Sequence, residues 1–295
     1  MLESERGGGL HCGMRRLAFF LAVLGSGLLC ARGQSGALTA TLEMGQEQYL
    51  PNEDVQVKIH IVNRSGQPVA FGMDNKWITF SIVGEHEYVA PKLGDVAVKA
   101  PFTLQSGQEI TREFNVTPCF DFRRPGRYRI SALIQIPQWS QQIACRPVSF
   151  LISEGVPLQD LGDLTVGVSP ASGGTNAAPE IRRYSLLKVS NLDDLRLYIR
   201  LTDGTGRTLR VFPLARMVSF AEPVAQIDRA NNLHVLLQTG ARQFIYCVIN
   251  PAGALVQRQF YRYSETRPSM VTGDDGAIFV AGGFRTPGPN DIPGP

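Results

Sequence analysis

The stretch IDRANNLHVLLQTG, residues 227–240, places Asp228 six positions before His234. A carboxylate that orients an imidazole is the pairing used in general acid–base catalysis, because histidine exchanges a proton near neutral pH and the acid fixes its tautomer. The same residues have a plainer reading. Asp228 closes one apolar run, Arg-Ala-Asn-Asn follows it, and Asp and Asn satisfy local backbone amides where a chain reverses. In LHVLLQ, His234 shares a strand face with Leu236, opposite Leu233, Val235 and Leu237. The expectation is a hairpin turn shaped by Asp228, with Asp228 and His234 as the one pair worth testing for catalysis.

Other chemistry has less support. Ser185 and Lys188 have the Ser-x-x-Lys spacing of a serine hydrolase, but that arrangement needs a helical turn, and on a strand residues three apart face opposite sides. Gly-x-Ser-x-Gly, His-Glu-x-x-His, the phosphate loop and the dinucleotide fingerprint do not occur. Glu85-His86-Glu87 reads as a hairpin tip, and Asp203-Gly-Thr-Gly206 and Gly273-Asp-Asp-Gly276 read as turns with too few spaced oxygens for calcium. No metal or cofactor is expected. His60 alternates onto the polar face of VQVKIHIV and points to solvent. Trp139, in a polar turn, is the one candidate binding anchor; the alternative is that its ring folds back onto the domain.

The elements that position these residues are strands. In residues 38–155, Val55, Val57, Ile59 and Ile61 line one face against Gln56, Lys58 and His60. The strand over residues 110–116 leaves its inward face open between Ile110, Arg112, Phe114 and their neighbours. RRPGRYRISALIQIPQWSQQIACRPVSFLIS, residues 123–153, reads as the last hairpin of an immunoglobulin-like sandwich, with Tyr128 placed for a tyrosine corner. Upstream, EQYLPNEDVQVKIHIVNRSGQPVAF is similar to the Tyr-x-Pro-Gly-Glu-x-Val opening of macroglobulin-type Ig-like modules, with Asn52 in place of the glycine. Residues 156–182 carry Pro, Gly and Ser without periodicity and read as a linker, most flexible over 169–178.

Beyond it the chain repeats. Pro223 and Pro268 open similar strand–turn–strand segments 45 residues apart, and YIRLTDGTGRTLRVF parallels YCVINPAGALVQRQF at a displacement of 48. Four strands per unit at that period is the pattern of a propeller blade, though two units close no ring. Ile278 or its neighbour takes the place of His234 in the second copy. The fold class expected is all-β, an Ig-like β-sandwich followed by propeller-blade-like hairpins over 183–286, with a flexible tail over 287–295. The run through LRLYIRLTDGTG, VFPLARMVSF, IDRANNLHVLLQTG and VAGGFR resembles a family of uncharacterised exported proteins of verrucomicrobial bacteria. That resemblance implies the same domain order and no activity.

Composition sets the compartment. Met14-Arg15-Arg16, the apolar run Leu17–Leu29 and the small residues before Gln34 read as an export signal over 1–33, against a membrane-anchor alternative for which the run is short. Leu29 before Cys30 argues against a lipoprotein. Residues 34–295 carry 25 basic and 24 acidic side chains, which offers no electrostatic footprint for nucleic acid. Asn63-Arg-Ser65 and Asn115-Val-Thr117 would be glycosylation sequons only in a eukaryote. Cys119, Cys145 and Cys247 are odd in number, and the strand between the first two argues for free thiols. These observations lead to a non-catalytic exported binding or assembly protein of the cell envelope, periplasmic or extracellular, whose partner is a protein or a surface polysaccharide. No stable membrane span is expected once the signal is removed. The alternative is a secreted hydrolase or a protease-inhibitor-like accessory protein.

Overall fold

Ten short strands build the amino-terminal half of the molecule in the computed structural model, which describes residues 38–85, 88–97, 100–158, 163–168, 179–191, 194–288 and 290–294. The expected export signal lies outside them. β1 (Leu38–Met44), β3 (Gln56–Asn63) and β7 (Glu109–Asn115) form one antiparallel sheet around β3. β2 (Gln48–Tyr49), β10 (Val148–Ile152), β8 (Gly126–Ile136) and β5 (Ile78–Gly84) form the facing sheet, in that order, with β9 (Gln141–Ala144) also on β8. β4 (Val69–Phe71) and β6 (Phe102–Leu104) pair beside them. The parallel seat of β2 on β10 and the β10-β8-β5 order give the immunoglobulin-like sandwich.

The alternation read from the sequence fills the space between the sheets. Val57, Ile59 and Ile61 are wholly buried, and they face Ile82, Ile130 and Ile134 within one cluster. Tyr128 is buried and its hydroxyl donates to the Arg124 carbonyl at 2.8 Å, which makes the tyrosine corner and fixes the entry into β8. β7 turns Ile110, Arg112 and Phe114 inward; Phe114 is in the core, and the Arg112 guanidinium lies 4.4 Å over the Phe102 ring. At Leu50-Pro51-Asn52-Glu53, the Glu53 amide donates to the Leu50 carbonyl at 3.1 Å and Asn52 takes φ 66°. Proline at the second position and a left-handed third residue are the requirements of a type II turn, and Asn is the residue that best replaces Gly there. The departure from the macroglobulin-type pattern is therefore accommodated.

The carboxyl-terminal half contains two four-stranded meanders and half of a third. β11 (Val156–Pro157) and β12 (Leu164–Val168) both pair with β13 (Glu180–Asn191), which continues through β14 (Asp194–Asp203) to β15 (Thr208–Arg216). β16 (Val224–Ile227), β17 (Leu233–Gly240), β18 (Gln243–Ile249) and β19 (Leu255–Arg262) form the second sheet, and β20 (Ser269–Thr272) pairs with β21 (Ile278–Ala281). A short β22 (Phe284–Arg285) closes on β19. Leu186, Leu197 and Ile199 of the first sheet meet Leu233, Val235 and Leu237 of the second in one core. On the other side of the second sheet, Leu236, Tyr246 and Val248 meet Met270 and Val280 of the hairpin. β17 is thus covered on both faces.

Two expectations are corrected here. The segment 156–182 is not a linker throughout, because Leu158 and Val166 are core residues and β11 and β12 are hydrogen-bonded to β13. Their apolar alternation is too short to stand out among Gly, Asp and Pro. The span 169–178, where flexibility was expected, lies outside the described residues. Nor is 287–295 a loose tail as far as Gly294, since the Ile292 and Arg258 backbones exchange both hydrogen bonds at 2.9 Å and so cover the edge of β19.

The two halves are also joined. Leu50, fully buried at the tip of the sandwich turn, packs with Leu187, Val189, Tyr198 and Val211 of the first meander. Contacts group the described residues into one compact unit.

Candidate functional site

Four of the hairpins in the carboxyl-terminal half turn in the same way. In each, the fourth residue donates its amide to the carbonyl of the first: Gly206 to Asp203, Asn231 to Asp228, Gly253 to Asn250 and Gly276 to Gly273, at 2.8–3.1 Å. Each fourth residue has positive φ, from 65° at Asn231 to 84° at Gly206. This is a type I turn with a left-handed bulge residue, a standard three-residue hairpin. In three of the four, a side-chain oxygen of the first residue accepts the amides two and four positions on. Asp203, Asp228 and Asn250 all do so, at 2.8–3.1 Å. The expected turn role of Asp228 is what its Oδ1 performs.

Its other oxygen does more. Asp228 Oδ2 lies 3.0 Å from His234 Nε2 and accepts the Asn232 side-chain amide at 2.8 Å. His234 Nδ1 lies 2.6 Å from Tyr246 Oη, and that hydroxyl is also 3.1 Å from the Ile278 carbonyl on β21. Asp228 and His234 therefore do meet, across the turn that separates β16 from β17, and Tyr246 on β18 is a third member that the linear sequence did not offer. The signal for it was register: His234 opposes Val248 in the β17–β18 ladder, which puts Tyr246 and His234 on one face two positions apart.

The electrostatics are those of an internal brace. His234 is 6% exposed, so its ring is packed between the second sheet and the β20–β21 hairpin. Burial alone would raise the Asp228 carboxyl, but the hydrogen bonds from His234 and from the Asn232 side chain and amide outweigh it, and the group stays below its usual value. Burial pushes the Tyr246 hydroxyl well above its ordinary value. Nε2–H donates to Asp228 in either protonation state of the ring, while Nδ1 either accepts from or donates to Tyr246. Both ring nitrogens are thus engaged within the fold, whereas a general base needs one directed at a substrate proton. The residue 45 positions on is Phe279, paired with Val271 as His234 is paired with Gln226, so the equivalence expected at Ile278 falls one position later.

The remaining candidates separate from one another. Ser185 Oγ donates to Asp163 at 2.6 Å and Lys188 pairs with Glu222 at 2.6 Å, so the Ser-x-x-Lys spacing brings nothing together. His60 lies on the outer face of β3, with Nδ1 3.1 Å from Thr111 Oγ1 and Nε2 3.6 Å from Glu109. Trp139 sits at the end of the 3-10 turn Pro137–Trp139 and packs, half-buried, against the sandwich core, which is the fold-back alternative to a projecting anchor. His86 and Glu87 lie outside the described residues. Cys119, Cys145 and Cys247 are free and buried, and burial pushes the last two thiols up to about 11 and about 12. Among the described residues, no cluster of His, Cys, Asp and Glu has the makings of a metal site.

Several concave features lie apart from these residues, two of them against the carboxyl-terminal sheets. At the junction of the halves, a cavity of about 310 Å³ is lined by Gln46, Asp194, Arg196 and Arg216. Three of its charges are paired with one another: Asp194 receives Arg196 Nε at 2.6 Å and Arg216 Nε at 3.0 Å. Gln46 hydrogen-bonds Glu53, and burial pushes that carboxyl up to about 7. The second cavity, of about 400 Å³, opens between the β18–β19 edge and the stretch carrying Thr286, Gly288 and Asn290, lined by Phe260 and Tyr261 with Thr239, Gln243 and Arg262. Neither includes Asp228, His234 or Tyr246.

Neither a scan against protein-family models nor a search of curated proteins finds a match. Among solved structures, the sporulation control protein Spo0M from Bacillus subtilis is similar over 62% of this chain and 91% of that one, at 12% identity and a TM-score of 0.28. A superposition at that level carries no argument about function. No helix of the described residues is long and apolar enough to cross a membrane.

Proposed function

We propose that this chain is a non-catalytic binding or assembly protein of the cell envelope, exported by its amino-terminal segment to the periplasm or beyond, in line with its resemblance to exported verrucomicrobial proteins. The observation that carries the reading is the engagement of both His234 ring nitrogens inside the fold, by Asp228 at 3.0 Å and Tyr246 at 2.6 Å. Its partner is a protein or a surface polysaccharide met on loops and cavity rims. The same contact keeps a second reading in play: in a secreted hydrolase or inhibitor-like accessory protein, Asp228 and His234 would be the working pair. Crosslinking the full chain in intact cells of its source distinguishes the two. The binding reading expects a discrete, stable envelope component in the catch; a catch empty of any such component contradicts it.

A further inference from the structure

The cavity between β19 and the stretch carrying Thr286, Gly288 and Asn290 combines unpartnered polar side chains with aromatic walls. The Asp228–His234–Tyr246 network satisfies its own polar atoms, and in the junction cleft Asp194 is paired with Arg196 and Arg216. Here Thr239, Gln243, Arg262 and Asn290 surround the opening, and none of the four side chains has a hydrogen-bond or ion-pair partner among the described residues. The walls are aromatic, from Phe260 and the half-buried Tyr261, whose hydroxyl is turned aside to Gln259 at 2.7 Å. Phe244 and Thr286 also line it, and at Gly288 an added Cβ would meet Phe260 at 3.6 Å.

Register explains why these groups converge. Gln243 opposes Arg262 at the end of the β18–β19 ladder, and Thr239 is the unpaired residue of the bulge that leads into the turn. The segment after β22 then crosses above them, held by the Thr286 amide on the Phe260 carbonyl at 2.8 Å and by the Ile292–Arg258 bridge. The cavity is thus built from three fixed segments, and its volume of about 400 Å³ lies within the range of small-ligand sites.

The chemistry of the lining selects among ligands. No Asp or Glu lines it, and its one formal charge is the Arg262 guanidinium, so a cation gains nothing and an anion gains a fork of donors. Two primary amides and the hydroxyls of Thr239 and Thr286 complement groups that both donate and accept, such as ring hydroxyls. Aromatic walls complement the apolar face of a pyranose. We propose that this cavity binds an acidic saccharide residue, a pyranose bearing a carboxylate, with Arg262 on the carboxylate and Gln243 and Asn290 on hydroxyls. This rests on the binding reading above and narrows its partner to a uronate-containing polymer.

Titration calorimetry of the full chain with hexasaccharides tests it, using galacturonate and glucuronate oligomers beside neutral glucose oligomers. Uronate oligomers are expected to bind, with Arg262→Ala weakening them about tenfold or more and Gln243→Ala/Asn290→Ala weakening them by a smaller factor. Neutral oligomers should bind the wild type about as weakly as uronates bind Arg262→Ala. Because all three positions are exposed, thermal melting of the variants should match the wild type. Uronate binding unchanged in Arg262→Ala, equal binding of neutral oligomers, or no binding by any oligomer overturns the proposal. If in that last case crosslinking in cells still captures a partner, the ligand class is wrong and the binding reading survives.

Discussion

In the reversal from Asp228 to Asn232, Oδ1 does what the side chains of Asp203 and Asn250 do in the sister turns, and Oδ2 alone reaches His234. The comparison separates two roles by mutation. Asp228→Asn should keep the turn, since Asn250 already serves in that position, and lose the charge-assisted bond to His234 at a cost of about 1–3 kcal/mol. Asp228→Ala should cost more, because two turn amides also lose their acceptor. Urea denaturation checks the order, and equal losses in the two variants would remove the distinction. Glu53 supplies a second residue-scale test. Buried at 3% exposure and accepting the Leu50 amide at 2.7 Å, it has a folded value of about 7 against an ordinary 4.5. A raised carboxyl binds its proton more tightly in the folded state, so its contribution is complete below about pH 4 and is lost as pH rises through about 7. The loss is on the order of 3 kcal/mol for a shift of this size. Glu53→Gln should abolish that slope while keeping an acceptor for Leu50; an unchanged pH profile would contradict the assignment. The sequence marked Asp228 as a turn residue by type alone, but it could not supply Tyr246, whose contact depends on strand register.

At the scale of elements, the apolar periodicity was long enough to read wherever a strand exceeded about six residues with one face in the core, as in β3 and β8. It failed at β11 and β12, with two and five residues, and at the tail, where a single Ile292 makes the bridge. The 45-residue repeat was visible because turn residues recur at fixed spacing. What the repeat could not show is that the β20–β21 hairpin covers the His234 face of β17, which makes that face interior. Leu50 gives the element-scale prediction. A turn residue of the sandwich fully buried among Leu187, Val189, Tyr198 and Val211 makes the two halves depend on each other. Leu50→Ala should cost about 2–5 kcal/mol. It should also shift the carboxyl-terminal half toward earlier unfolding in denaturant, followed by hydrogen exchange in β13 and β14. Unchanged exchange in those strands would show that the junction transmits nothing.

For the whole molecule, the all-β architecture was legible from composition, alternation and turn spacing, and its division into sandwich and blade-like sheets follows from them. The continuity between the halves was not, because it depends on one leucine at a turn tip and on strands hidden in a glycine-rich segment. Function remains a matter of which polar groups face outward. The Asp228–His234–Tyr246 network is turned inward, while the rim of the β19 cavity is turned out. The most direct test is in-cell crosslinking of the wild type beside Asp228→Asn/His234→Gln, with folding of the variant checked by its denaturation curve. The binding reading expects the same captured component in both, at a stability lowered in the variant. Loss of the capture in a variant that is still folded would contradict it and return the pair to an active site.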